Sequence, residues 1–135
     1  GIKIPQAGTV FISVREPDKT KALVKLARLL IKKGFSIIST EGTSGYLNSH
    51  NIKTSYINKV HQGQPHIVDL IRKGKIDLII NTTEGKQSIE ESFSIRAEAV
   101  IRDVTYYTSL EASIATMDAF EYFNMVTVNR LQDYY

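Results

Sequence analysis

The stretch Leu78-Ile79-Ile80-Asn81-Thr82-Thr83-Glu84-Gly85 decides the fold. Leu78, Ile79 and Ile80 are apolar in succession, which suits a central parallel strand covered by helices on both faces. The run then stops in a compact polar cluster. The same transition occurs in Val10-Phe11-Ile12-Ser13-Val14-Arg15-Glu16, in Ile37-Ile38-Ser39-Thr40-Glu41-Gly42-Thr43 and in Tyr56-Ile57-Asn58-Lys59-Val60-His61. A weaker instance is Val104-Thr105-Tyr106-Tyr107-Thr108-Ser109. Helical periodicity fills the intervals, so the expected fold is α/β: a three-layer α/β/α sandwich with a five-stranded parallel sheet. Right-handed crossovers put every C-terminal strand end on one edge. Open α/β sheets bind ligands along that edge.

The intervening helices follow from spacing and punctuation. Pro17-Asp18 opens the first, with Asp18 as N-cap. Leu23, Leu26, Ala27, Leu30 and Ile31 follow at helical spacing, and Lys32-Lys33-Gly34 ends it with Gly at C′. Phe35 to Ser39 is the second strand, and Gly42 turns the chain into a short helix from about Ser44 to Ser49. Lys53 to Asn58 is the third strand. Pro65 suits the first position of a helix over Ile67 to Lys73, stopped by Gly74. Asp77 to Ile80 is the fourth strand, followed by a polar loop from Asn81 to Ser88. A helix over roughly Glu91 to Arg102 carries Ile95, Ala99 and Val100 inward. Val104 to Thr108 is the fifth strand, and the last helix runs from about Leu110 to Phe123.

Composition narrows the function classes. The 135 residues, 42% hydrophobic, make one domain with a real core. The chain has no cysteine, which excludes a disulfide scaffold, a thiolate metal site and a cysteine nucleophile, and which fits a reducing cytoplasm. No segment reaches the roughly 18 uncharged apolar residues of a membrane span, and the first residues lack a signal-peptide core. The net charge of +3 is dispersed, so neither nucleic acid nor membrane is an expected partner.

The polar clusters hold the candidate chemistry. Thr40-Glu41-Gly42-Thr43 joins a strand to a helix whose N–H groups and dipole favour an anion. It also reads as an ordinary βα turn with Thr43 as N-cap. Lys19 stands in the first helical turn, where a cation opposes the dipole unless an anion is near, and Lys59 ends the third strand on the same edge. A few charge-assisted hydrogen bonds of roughly 1.5–3 kcal/mol each would hold a nucleotide at micromolar affinity. Asn81-Thr82-Thr83 reads either as a ribose or carbonyl contact or as a polar cap on a strand end. His61 and His66 are five apart with no accompanying carboxylate pattern, so no metal site is expected. There is no Gly-x-Ser-x-Gly elbow, Walker A loop or Gly-x-Gly-x-x-Gly fingerprint.

Four motifs together carry a resemblance: Ser13-Val14-Arg15-Glu16-x-Asp18-Lys19, Thr40-x-Gly42-Thr43, Asn58-Lys59-Val60-His61-x-Gly63-x-Pro65-His66-Ile67 and Ile80-Asn81-Thr82. From about Gly8 to Phe123 the chain resembles the C-terminal allosteric domain of the carbamoyl-phosphate synthase large subunit, a methylglyoxal synthase-like domain. The resemblance implies residues 1–7 as linker, 8–123 as regulatory domain and 124–135 as C-terminal tail. It implies an effector domain for UMP or IMP without chemistry of its own, in a glutamine-hydrolysing, ATP-dependent ligase of pyrimidine and arginine biosynthesis. Lys19, Thr40, Gly42 and Thr43 would form the phosphate end. Lys59, Asn81 and Thr83 would hold ribose and base, and Ser13 and Ser92 would line the pocket. Arg96 matches a basic position kept near the pocket, and Ser109 matches a position near an ornithine site.

The implied partners are the catalytic domains of the same large subunit and the glutaminase small subunit, and the resemblance allows a homo-oligomer through this domain. No cofactor is expected in the domain; ATP, magnesium and potassium belong to the parent's synthetase halves. The alternative is a methylglyoxal synthase-type lyase acting on dihydroxyacetone phosphate. That enzyme carries an aspartate base in a Gly-Gly-Asp segment, where this chain has Gln62-Gly63-Gln64-Pro65. Gln64 takes up no proton at neutral pH, which argues against the lyase.

Overall fold

Side chains alternate between the faces of a strand, and the strands here divide their residues accordingly. A computed structural model describes residues 7–119. The expected linker, apart from Ala7, lies outside the described residues, as do the C-terminal tail and the last helix beyond 119. Among the described residues the strands are five: β1 Gly8–Ser13, β2 Phe35–Ser39, β3 Ser55–Tyr56, β4 Leu78–Asn81 and β5 Thr105–Tyr107. Every pairing is parallel, in the order β3-β2-β1-β4-β5. The α/β architecture with one five-stranded parallel sheet is therefore as expected.

The helices are α1 Lys21–Lys32, α2 Glu41–Ser49, α3 Ile67–Arg72 and α4 Lys86–Ile101. A fifth, α5, is described over 110–119. Val10, Ile12, Leu78 and Ile80 pack with Leu23, Leu26, Ala27 and Leu30 of α1 and with Leu110 and Met117 of α5. Phe11 and Ile79 face the other way, into Ile67, Val68 and Ile71 of α3 and Ile95 and Ala99 of α4. β4 is buried at every residue, so its unbroken apolar run has the predicted reason.

Several boundaries differ from expectation, each for a local reason. Asp18 does not cap α1. Pro17 closes a 3₁₀ turn over Glu16–Asp18, the Asp18 carboxylate accepts from Arg15 Nε at 2.9 Å, and Thr20 takes the N-cap position. Lys19 consequently lies before α1. Val24, not Ile31, completes the buried face of α1; Ile31 is exposed. Gly34, with φ of +102°, ends that helix at C′ as expected. α2 starts three residues earlier than the predicted Ser44, so Gly42 and Thr43 are helical and Thr40 is the N-cap.

His66, not Pro65, borders α3; its N–H donates to Asp69 Oδ2 at 2.9 Å. β3 is shorter than predicted. α4 begins at Lys86, inside the expected loop, and Val100 points outward. Ile89, Phe93, Val100 and Ile101 are exposed while Ile95 and Ala99 are buried, so α4 has apolar residues on both sides and its sequence shows no clean stripe. Among the described residues, no helix is long and apolar enough to cross a membrane.

Candidate functional site

β1 lies between β2 and β4, and its two neighbours are reached by crossovers on opposite faces of the sheet. This is the switch point of an open α/β sheet, where connections diverge and leave a crevice at the C-terminal strand ends. Ser13 ends β1 directly opposite Asn81, which ends β4. A cleft of about 270 Å³ opens there, near the lower end of small-molecule pockets, about 300 Å³. Its walls include Ser13, Lys19, Thr40, Gly42, Thr43, Lys59, Asn81 and Ser92. Eight of the nine residues expected from the sequence thus converge on one cleft.

Thr83 is the exception. Its neighbour Thr82 lines the cleft instead, and its Oγ1 accepts from Arg15 N at 3.0 Å. Period-two alternation explains the pattern of contacts. Asn81 shares the α4 face with Ile79, whereas Thr82 turns to the opposite side and braces the segment after β1.

One end of the cleft gathers groups whose chemistry favours an anion. The first intrahelical bond of α2 runs from Ser44 N to Thr40 O at 2.8 Å. The N–H groups of Glu41, Gly42 and Thr43 precede it and have no helical acceptor. Thr40 makes no side-chain cap; its Oγ1 lies 3.1 Å from Ser13 Oγ and donates to Thr43 Oγ1 at 3.5 Å. Thr43 Oγ1 accepts from Val14 N at 3.1 Å, tying the helix start to β1.

The Lys19 side chain is only 15% exposed, and its ammonium is paired with Glu16. A β-carbon at Gly42 would lie 3.1 Å from Lys19 Nζ. Glycine therefore serves close approach of the cation to the helix start; its φ is not positive, so it does not serve the tight turn expected from sequence. An ammonium beside the positive end of a helix is an unfavourable pair, which the Glu16 carboxylate offsets here.

The other end is polar and more open. Lys59 is exposed at the rim, and its N–H donates to Gln62 Oε1 at 2.7 Å. His61, two residues on, pairs with Glu91 of α4, linking the β3–α3 connection to the opposite wall. Asn81 Nδ2 donates to Ser92 Oγ at 2.9 Å and to Tyr106 OH at 2.8 Å. Burial raises the Tyr106 phenol above its ordinary value, against the lowering effects of its bonds to Asn81 and Ser92 and of the Arg96 charge. The hydrogen bond to Asp18, and then its charge, raise the Arg15 guanidinium, so Arg15 stays fully cationic at the rim.

Sequence reasoning read Thr82 as a possible ribose or carbonyl contact and placed Glu84 and Glu91 near the ligand edge without a role; it missed Arg15, Glu16 and Tyr106 as part of this environment. Arg15, Glu16 and Thr82 stood inside the quoted motifs; Tyr106 had no local signal. Arg96 does not line the cleft, and its guanidinium carbon lies 5.9 Å from the Tyr106 ring centre. Ser109 caps α5, accepting from Ala112 N at 3.1 Å. Gln64 lies away from the cleft, beside Pro65, Asp69, Arg72 and Lys73. Among the described residues no group of three His, Asp or Glu could hold a metal ion.

A family model described as "MGS-like domain" matches residues 22–108. The carbamoyl phosphate synthase large chain of Xanthomonas campestris pv. campestris is 43% identical over 133 residues, which is 98% of this chain and 12% of that protein. The corresponding chain of Myxococcus xanthus is 46% identical over 136 residues, 99% of this chain and again 12% of that protein. The chain thus spans about an eighth of the length of these relatives. Among solved structures, methylglyoxal synthase from Elizabethkingia anophelis superposes with a TM-score of 0.63 at 15% identity, covering 84% of this chain and 78% of that one. At that identity the likeness is one of fold.

Proposed function

The chain belongs to the MGS-like domain family, and from that premise we propose that it is the regulatory module of a carbamoyl phosphate synthase large chain. It takes UMP or IMP in the cleft between β1 and β4 and does no chemistry itself. The observation that carries this is the convergence of the Lys19 ammonium on the uncapped start of α2 at Gly42. A phosphate dianion satisfies both, displacing Glu16 from Lys19. The hydroxyls of Thr40 and Thr43 flank it. Asn81, Ser92 and Lys59 are left for the nucleoside.

Regulation then works by linkage. The nucleotide binds one arrangement of the parent enzyme better than another, with a coupling of typically ~1–3 kcal/mol. The parent is the glutamine-hydrolysing ligase that serves pyrimidine and arginine biosynthesis. Its catalytic domains and glutaminase subunit are the partners through which occupancy of this cleft is felt.

Calorimetry with UMP and IMP tests the proposal directly. Binding is expected, and Lys19→Ala and Thr43→Ala are expected to weaken it. No binding at millimolar nucleotide, or affinity indifferent to both substitutions, contradicts it. The shared fold with methylglyoxal synthase favours a second reading, a lyase acting on dihydroxyacetone phosphate. Against it, the segment Gln62-Gly63-Gln64-Pro65 has no carboxylate, and Glu91 is already paired with His61. Substantial methylglyoxal formation from dihydroxyacetone phosphate would favour the lyase over the sensor.

A further inference from the structure

Asn81 is 5% exposed and stands at the floor of the cleft. A primary amide has two N–H donors and one carbonyl acceptor. Both donors are engaged, one by Ser92 Oγ at 2.9 Å and one by Tyr106 OH at 2.8 Å. Neither bond uses the carbonyl oxygen Oδ1. Turning the amide over would require both hydroxyls to donate where they now accept.

Tyr106 is not itself a wall of the cleft. It lies on β5 in register with Ile79. Ile79 and Asn81 share one face of β4, so the phenol reaches two residues along the strand to the Asn81 amide. Burial keeps the phenol protonated well past neutral pH. Arg96 lies over its ring at 5.9 Å, within cation–π range. Arg96 at the ring and Asn81 at the hydroxyl thus hold Tyr106 behind the residue that meets the ligand.

We infer that Tyr106 is the positioning residue of this site: together with Ser92 it locks the Asn81 amide so that only a hydrogen-bond acceptor faces the ligand. The inference rests on the nucleotide-binding function proposed above and sharpens it. The nucleoside group that meets Asn81 must carry a proton. A sugar hydroxyl does so, and so does the ring N–H of an oxo base such as uracil or hypoxanthine. Phosphate, held at the far end by Lys19 and α2, is indifferent to this lock.

A double-mutant cycle on the 135-residue chain tests this. UMP, IMP, ribose 5-phosphate and inorganic phosphate are titrated against wild type, Tyr106→Phe, Asn81→Ala and the double variant. Tyr106→Phe is expected to weaken UMP and IMP about tenfold in the wild-type background and less than about twofold when Asn81 is already alanine. Inorganic phosphate affinity stays unchanged. If ribose 5-phosphate weakens with the nucleotides, Asn81 meets the sugar; if it does not, Asn81 meets the base. Either result supports the lock.

Equal losses in both backgrounds, an equal loss for inorganic phosphate, or no loss at all would overturn it. Wild type failing to bind any nucleotide would instead reject the functional reading itself. A measurement without substitution guards against a variant that does not fold. In the 15N-labelled chain the two Asn81 side-chain amide protons should exchange slowly with solvent, and rapid exchange would overturn the lock.

Discussion

Gly42→Ala is expected to move stability and binding in opposite directions. Gly42 is the second residue of α2 and does not have a positive φ, so alanine adopts its backbone conformation without strain. Replacing a helical glycine stabilises by about 0.4–1 kcal/mol, largely by restricting the unfolded chain. For a domain of this size that is a rise in Tm of roughly 2–5 °C. The new methyl, however, would lie 3.1 Å from Lys19 Nζ, inside normal contact distance. The ammonium must retreat by a few tenths of an ångström, and the methyl occupies the space through which an anion approaches the α2 N–H groups. Weakening one charge-assisted hydrogen bond by about 1.5 kcal/mol lowers affinity roughly tenfold. Differential scanning calorimetry and isothermal titration with UMP measure the two effects on one sample. Undiminished affinity with a raised Tm would show that the ligand does not approach Gly42. A lowered Tm would refute the helical account of the glycine.

Other substitutions separate stability from binding in different ways. Thr43→Val keeps the shape but leaves the buried Val14 N–H without its acceptor; it should cost about 1–3 kcal/mol in urea unfolding, while Thr43→Ser should retain most of that stability. Glu98 is buried between Arg72 Nε at 3.1 Å and Arg102 Nε at 3.6 Å, but both arginines are about half exposed. Glu98→Ala should therefore cost no more than about 1 kcal/mol by the same measurement. Burial raises the Tyr106 phenol above its ordinary value of about 10 in the folded chain. The folded state holds that proton more tightly than the unfolded state. Its contribution to stability is therefore fully present below pH 10 and lost as pH rises through the folded value. Tyr106→Phe should flatten that part of an alkaline stability curve.

The sequence alone determined which segments become strands and which polar residues end them. Leu78-Ile79-Ile80 reads as a strand buried on both faces, and the polar residues after each apolar run share one sheet edge once the crossovers are right-handed. Local pattern sufficed there because alternation and chain direction are properties of the segment itself. It failed for α4, which has apolar residues facing both the core and the outside, and for Gly42, where the same residue type suits a turn or a close approach.

Only the tertiary structure decided that β1 lies between β4 and β2: the first pairing puts Ser13 opposite Asn81, and the second brings Lys19 to the start of α2. It also selected Thr82 over Thr83 for the cleft and brought Tyr106 behind Asn81 from 25 residues away. No local signal encodes such contacts, because strand order and register are settled by packing among distant segments rather than by the residues adjoining each site.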